Sequence, residues 1–246
     1  MISVIIPTFN EEKYIGILLE SLSKQDCARD IEVVVADAFS KDKTRDIAKS
    51  FSDNFKNLIV VDGGMPAISR NKGAKASSGD LLFFIDADLL IKDIDFLSKA
   101  SIFFRKEKLG ISTVYLEPLS THPLDRIMMG FYALCLYLSK YFRALGAMCI
   151  IADRKVFEEV GGYPENVIMN EDHDLMLKAS HVGKYAVTPY WVFFSVRRME
   201  KEGRFQLVWK YTQAVYYNVL FGPITKPVIK YEFGYSDEKA ENITKS

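Results

Sequence analysis

Hydrophobic and polar positions follow two different periods along this chain. Short apolar runs of strand length recur through its first half: Ser3–Pro7, Ile31–Ala36, Leu58–Val61 and Leu81–Ile85. Between them lie stretches with apolar residues three and four apart. Glu11–Gln25 carries Ile15, Leu18, Leu19 and Leu22 on one face, and Lys43–Phe51 and Ala67–Ala76 repeat the pattern. Continuous apolar strands alternating with helices predict an α/β fold of βαβ units, with a mainly parallel sheet buried on both faces. The second half is less regular. Ser112–Tyr115, Met148–Ala152, Tyr185–Thr188 and Trp191–Ser195 are expected strands, and Glu171–Val182 is an expected helix. A helical pattern from Phe205 puts Val208, Thr212, Val215, Tyr216, Val219 and Leu220 on one face. After Pro227 the chain turns polar, and Asp237–Ser246 is expected to be mobile.

Charge changes this picture by exclusion. The 246 residues hold 32 Lys and Arg against 32 Asp and Glu, so there is no basic excess of the kind that neutralises a nucleic-acid backbone. Three widely spaced cysteines, Cys27, Cys135 and Cys149, lack zinc-ligand spacing and suit a reducing compartment, with the cytoplasm as the default. The start of the chain runs from Met1 directly into Pro7 and acidic residues, so no signal peptide is expected. No segment reaches the roughly 18 to 20 apolar residues that span a bilayer; Ile127–Leu138 comes nearest.

In open parallel sheets, ligands bind beyond the carboxyl ends of the strands. Pro7-Thr8-Phe9-Asn10, Asp37-Ala38-Phe39-Ser40 and Asp86-Ala87-Asp88 all fall there, and are expected to converge on one cleft. Two carboxylates one residue apart at the end of a buried strand are costly without a partner. A hard divalent cation bridging to phosphate is a natural one. Asp37 could accept hydrogen bonds from a base or ribose hydroxyl, and the aromatic Phe9 could flank a nucleobase. Thr8 or Asn10 is expected to cap the first helix, and Ser40 or Asp42 the second. Arg70 could reach a phosphate or Asp86, while Gly73 and Ala74 would let its helix lie close to the sheet. In Asn170-Glu171-Asp172-His173-Asp174, the acidic residues suit a helix start, and Asp172 could be a general base for an acceptor hydroxyl.

These motifs, in this order, resemble the family 2 glycosyltransferases of GT-A fold. The matching pieces are Ser3-Val4-Ile5-Ile6-Pro7-Thr8-Phe9-Asn10-Glu11, Asp37-x-x-Ser40-x-Asp42-x-Thr44, Arg70-Asn71-x-Gly73, Asp86-x-Asp88, Gly161-Gly162-Tyr163 and Glu171-Asp172-x-Asp174-Leu175. The resemblance implies a single GT-A domain over 1–195, with a nucleotide-sugar half at 1–90 and an acceptor half at 91–195. A basic, amphipathic helical extension at 196–230 and a polar tail at 231–246 would follow. It also implies inverting transfer from a nucleoside-diphosphate sugar, UDP- or GDP-linked, with no covalent sugar–enzyme intermediate. Pro7, Phe9, Glu11, Asp37 and Arg70 would hold the donor, with Asp86 at its ribose or sugar. Asp88 would bind a divalent cation, Mg²⁺ or Mn²⁺, and Asp172 would be the base. Glu171, Arg197 and Arg198 are candidate diphosphate or acceptor contacts, and the two arginines, with Lys201 and Arg204 behind, read either as a mobile loop that closes on the diphosphate or as a solvated basic turn.

Two features depart from the family pattern. Ala38-Phe39 is bulkier than the usual small or acidic stretch, and no Gln-x-x-Arg-Trp motif follows Glu171-Asp172, which argues against a processive synthase. Apolar Ile127–Leu138 and the Trp- and Tyr-bearing helix after Phe205, both flanked by basic residues, fit a peripheral site on the inner face of a membrane or a homodimer interface. A membrane site would suit a lipid or lipid-linked acceptor. A sugar-phosphate nucleotidyltransferase and a non-catalytic nucleotide-sugar-binding protein are the competing classes. The first is disfavoured because Pro7-Thr8-Phe9-Asn10-Glu11-Glu12 holds no Gly-rich loop with Arg or Lys.

Overall fold

The protein is described as a computed structural model over residues 1–226; the expected tail at 231–246, Asp237–Ser246 included, lies outside the described residues. Strand β1 (Ile2–Thr8) pairs in parallel with β2 (Glu32–Asp37) and β4 (Leu81–Ile85), and β3 (Asn57–Asp62) pairs in parallel with β2. Side chains alternate across these strands, which divides the core in two. Val4, Ile6, Phe83 and Ile85 pack under helices α1 (Ile15–Ser23) and α4 (Phe96–Lys106), with Ala48 of α2 (Thr44–Ser50). Ile5, Leu82 and Phe84 face α3 (Pro66–Ala76), α6 (Arg154–Glu159) and α7 (Glu171–Val182). Helix α3 lies so close to β1 that a Cβ on Gly73 would stand 2.4 Å from Ile5 Cγ2.

The second half completes one eight-stranded sheet, in the order β3-β2-β1-β4-β7-β6-β8-β5. The added strands are β5 (Leu89–Leu90), β6 (Leu109–Pro118), β7 (Cys149–Asp153) and β8 (Lys184–Phe194). β7 runs antiparallel between β4 and β6, so the sheet is mainly, not wholly, parallel. Helix α5 (Pro123–Phe142) lies between β6 and β7 in sequence, and the short α8 (Arg197–Glu202) leads into α9 (Arg204–Phe221).

Three expectations are corrected. Tyr185–Thr188 and Trp191–Ser195 form one strand, because Pro189 falls within a register shift against β6 where no ladder donor is required. Thr8 and Asn10 do not cap α1; both side chains turn to the neighbouring loop. Among the described side chains of α9 the buried ones are Leu207, Ala214 and Asn218, while Val208, Thr212, Tyr216 and Leu220 of the expected inner stripe are exposed. The helix is rotated by its polar anchors: Arg204 grips buried Asp125 through two hydrogen bonds of 2.6 and 2.9 Å, and Arg143 donates to Asn218 at 2.9 Å.

Candidate active site

The carboxyl ends of β1, β2 and β4 lie side by side, and Asp37, Asp86 and Asp88 stand there in different surroundings. Asp37, opposite Thr8 in register, is fully buried and saturated with donors. Thr8 Oγ1 donates at 3.0 Å, Ser40 through both N and Oγ at 3.0 and 2.5 Å, and Arg45 lies 3.4 Å away. Positive φ at Phe39 (59°) curls the turn so that Ser40 can reach back. The same turn throws the Phe39 ring outward, 63% exposed, so the bulky departure from the family pattern stands at the rim. The two strand-end loops are then stitched together. Asn10 N donates to Ser40 Oγ, Lys41 N to Asn10 Oδ1 and Glu11 N to Thr44 Oγ1. Neither Ser40 nor Asp42 caps α2, whose N-cap position is Lys43 with no side-chain cap; Ser40 turns back to Asp37, and Asp42 accepts from Thr44 N at 3.0 Å from just outside the helix.

Asp86 and Asp88 leave β4 on either side of Ala87. Arg70, buried on α3, donates to Asp86 Oδ1 and to Glu171 Oε1, each at 2.7 Å, and its guanidinium lies 5.2 Å from the Tyr163 ring centre. Burial pushes the Asp86 and Glu171 carboxyls above their ordinary range, and the Arg70 charge opposes the shift in both. Asn71, the next residue, holds the turn before α7: it donates to Tyr163 O and accepts from Tyr163 N, both at 2.9 Å. Gly162, at φ +72°, leaves room for that grip, since a Cβ there would meet Asn71 Oδ1 at 2.6 Å. Arg70-Asn71 thus ties the Asp86 strand end to Gly161-Gly162-Tyr163 and to the start of α7.

Helix α7 begins after Asn170, which adopts the left-handed conformation that Asn tolerates. Glu171, Asp172 and Asp174 occupy its first turn, where the helix dipole favours negative charge. Asp172 is partly exposed, and its charge acts on Asp86. His173 Nδ1 accepts from Gly146 N at 3.0 Å, while Gly146 O accepts from Tyr132 OH at 2.7 Å. The base candidate is therefore flanked by a loop fixed from α5.

The basic stretch expected either as a mobile loop closing on the diphosphate or as a solvated turn is a helix, α8, and the Arg197 side chain is only 9% exposed. Its guanidinium donates to both Glu11 oxygens at 2.6 and 2.8 Å, places Nε 3.3 Å from Asp88 Oδ2, and lies 4.3 Å from the Tyr14 ring centre. Burial pushes the Glu11 carboxyl up to about 7, against the pull of Arg197. Arg198 is corrected too: it turns away and donates to Tyr211 OH at 3.1 Å. Glu11, Arg70, Asp86, Asp88, Glu171, Asp172 and Arg197 are brought together, with Pro7 near the end of β1 and Phe9 on the loop between that strand and Glu11; Asp37 stands apart, bonded to Thr8, Ser40 and Arg45. Sequence reasoning missed Tyr14 and Tyr132, and named Tyr163 only as part of Gly161-Gly162-Tyr163, with no role. A buried tyrosine beside a motif carries no periodic signal of its own.

A sequence profile covers much of this half of the fold: residues 3–114 match the family described as Glycosyl transferase family 2. Among relatives, the poly(ribitol-phosphate) β-N-acetylglucosaminyltransferase TarS of Staphylococcus aureus is 38% identical over 104 residues, 41% of this chain and 17% of TarS. The chain thus spans a small part of the length of the curated relatives it matches. Among solved structures, the mannosyltransferase PcManGT of Pyrobaculum calidifontis, in complex with GDP-Man and Mn²⁺, aligns with TM-score 0.69 at 23% identity, covering 87% of this chain and 60% of that one. S. aureus TarS 1–349 with UDP-GlcNAc aligns with TM-score 0.64 at 24% identity, covering 80% and 58%. The fold is therefore that of the GT-A glycosyltransferases, and the family match falls on the half that carries Asp37, Arg70, Asp86 and Asp88.

Proposed function

We propose that the protein is an inverting, metal-assisted glycosyltransferase that moves a sugar from a UDP- or GDP-linked donor to an acceptor hydroxyl. The observation that carries this reading is the tie through Arg70, which holds the Asp86–Asp88 strand end and the Asp172 helix start as two sides of one cleft. The donor arrives with its base and ribose near Asp37 and Glu11 and its diphosphate toward Asp88. The acceptor oxygen bonds to the anomeric carbon as the bond from that carbon to the diphosphate oxygen breaks. The hydroxyl proton passes to the Asp172 carboxylate, and the nucleoside diphosphate leaves with the bonding pair. Attack opposite the leaving group inverts the anomeric centre, so no protein nucleophile is required.

Asp88 fits a divalent cation: it offers a hard oxygen donor at the cleft, and a guanidinium already lies against it. Held there, Mg²⁺ or Mn²⁺ would neutralise charge developing on the diphosphate. The Mn²⁺ and GDP-Man bound by PcManGT, and the UDP-GlcNAc bound by TarS, support a nucleotide sugar with a cation as the donor form.

For the acceptor, α5 and α9 favour a lipid or lipid-linked molecule at a membrane surface. Ile127, Phe131 and Phe142 on α5, and Phe205, Trp209 and Phe221 on α9, are each more than 60% exposed. Among the described residues, the one carboxylate in these helices is Asp125, buried against Arg204. An apolar, aromatic face without exposed negative charge suits an anionic bilayer surface. No helix among the described residues is long and apolar enough to cross a membrane. Tyr132 links α5 to the loop beside Asp172, so a lipid surface against α5 would lie next to the base.

The test is Asp172→Asn, followed by nucleoside diphosphate release from UDP-GlcNAc and GDP-mannose with Mn²⁺. Release should fall at least about a hundredfold, the typical worth of a positioned base, while donor binding persists. Unchanged release would remove Asp172 as base. Release of pyrophosphate in place of the nucleoside diphosphate would favour a nucleotidyltransferase, and binding without turnover in the wild-type chain a non-catalytic binding protein.

A further inference from the structure

Arg197 occupies a place that the proposed chemistry needs for something else. Its guanidinium is shared between Glu11 and Asp88, and Asp88 is the carboxylate assigned above to the divalent cation. Four acidic side chains and two arginines form the core of the cleft. Arg70 serves Asp86 and Glu171, and Arg197 serves Glu11 and Asp88. A divalent cation on Asp88 would stand within a few ångströms of the Arg197 charge, and like charges that close in a buried site repel strongly. The two cations therefore compete for one carboxylate.

We propose that Arg197 is a built-in counter-cation that closes the donor site until metal and diphosphate displace it, and that it then becomes a ligand of the diphosphate. The proposal rests on the assignment of Asp88 to the metal. The local structure suits the exchange. Arg197 is the first residue of α8, and the backbone just before it is pinned by Ser195 N donating to Asp88 O at 3.1 Å. The guanidinium can thus leave the carboxylates by side-chain rotation while its Cα stays beside the cleft. Planar guanidinium is also the side-chain group best matched to phosphate oxygens, so the displaced Arg197 finds a partner in the anion that accompanies the metal. An arginine that serves only to hold the fold predicts no such exchange.

Binding of Mn²⁺ alone, measured by paramagnetic resonance of the free ion, tests the competition in wild type, Arg197→Gln and Arg197→Lys, each with and without Asp88→Asn. Arg197→Gln should bind Mn²⁺ about tenfold or more tightly than wild type, the scale of one lost charge–charge opposition. Arg197→Lys should stay near wild type, and Asp88→Asn should abolish the gain. With Mn²⁺ saturating, Arg197→Gln should instead bind UDP or GDP at least about tenfold more weakly, for loss of a charged phosphate ligand. Opposite shifts in the two titrations support the exchange. Equal Mn²⁺ affinity in wild type and Arg197→Gln, lost in both with Asp88→Asn, overturns it and leaves the metal assignment standing. Mn²⁺ binding that ignores Asp88→Asn, or no binding in any variant, overturns both. Should Arg197→Gln not fold, the Arg197 side-chain Nε–H resonance of the wild type, followed during a Mg²⁺ titration, gives the same reading. Its protection from solvent exchange should fall as Mg²⁺ saturates, and unchanged protection at saturation refutes the proposal.

Discussion

Arg70 is the tie on which the cleft depends, and Arg70→Met isolates its worth. The substitution keeps an apolar stem but deletes a buried cation that makes two 2.7 Å hydrogen bonds to separate carboxylates. Breaking a buried ion pair costs about 3–5 kcal/mol, because the remaining charge stays desolvated. Here the lower end applies: Asp86 and Glu171 are already pushed toward protonation by burial, so one of them neutralises when the cation goes. A loss of about 3 kcal/mol lowers the melting temperature by about 6–12 °C in a domain of this size. The assay is urea denaturation of wild type, Arg70→Met, Glu171→Gln and the double variant. Because Arg70 contacts Glu171 directly, the double variant should be more stable than the summed single losses predict, by about 1–3 kcal/mol. Additivity, or a loss below about 1 kcal/mol for Arg70→Met, would refute the tie as a load shared between β4 and α7.

Two further outcomes follow from the same geometry. Burial raises Glu11 from its ordinary 4.5 to about 7, so between those values the folded chain holds a proton that the unfolded chain has released. Stability should therefore fall as pH rises through that window, and Glu11→Gln should flatten the fall in urea midpoints; a parallel dependence in both proteins would contradict it. The α5 and α9 faces should float the protein with anionic vesicles and less with zwitterionic ones, and Phe131→Glu with Trp209→Glu should abolish flotation. A homodimer by light scattering with no flotation would assign the faces to a second copy instead.

The legible parts of the chain were those with local causes. Leu81–Ile85 and Glu171–Val182 have the bounds expected of them, since an apolar run ends at charged residues in one case and an acidic first turn opens a helix in the other. The placing of Asp37, Asp86 and Asp88 along one edge of the sheet followed from parallel topology, which puts the same ends of β1, β2 and β4 side by side, although Asp37 bonds Thr8, Ser40 and Arg45 and does not join the Asp86–Asp88 cluster. What escaped was decided at a distance. Arg197 finds Glu11 across 186 residues of sequence, and nothing near Arg197-Arg198 separates the arginine that reaches Glu11 from the neighbour that turns to Tyr211. Helix α9 has an apolar stripe that reads as core, yet Asp125 and Arg143, gripping Arg204 and Asn218, hold the helix with Val208, Thr212, Tyr216 and Leu220 of that stripe exposed. Helix α4 was not predicted, although Phe96, Leu97, Ala100 and Phe104 have the spacing of a buried face.

The central claim is that Asp88 and a divalent cation together receive a nucleoside diphosphate. Calorimetric titration of UDP and GDP into the wild-type protein and Asp88→Asn, with Mn²⁺ or with EDTA, tests it most directly. One of the two nucleotides should bind the wild type with Mn²⁺, and both EDTA and Asp88→Asn should remove that binding. Equal binding with EDTA, or in Asp88→Asn, would contradict it.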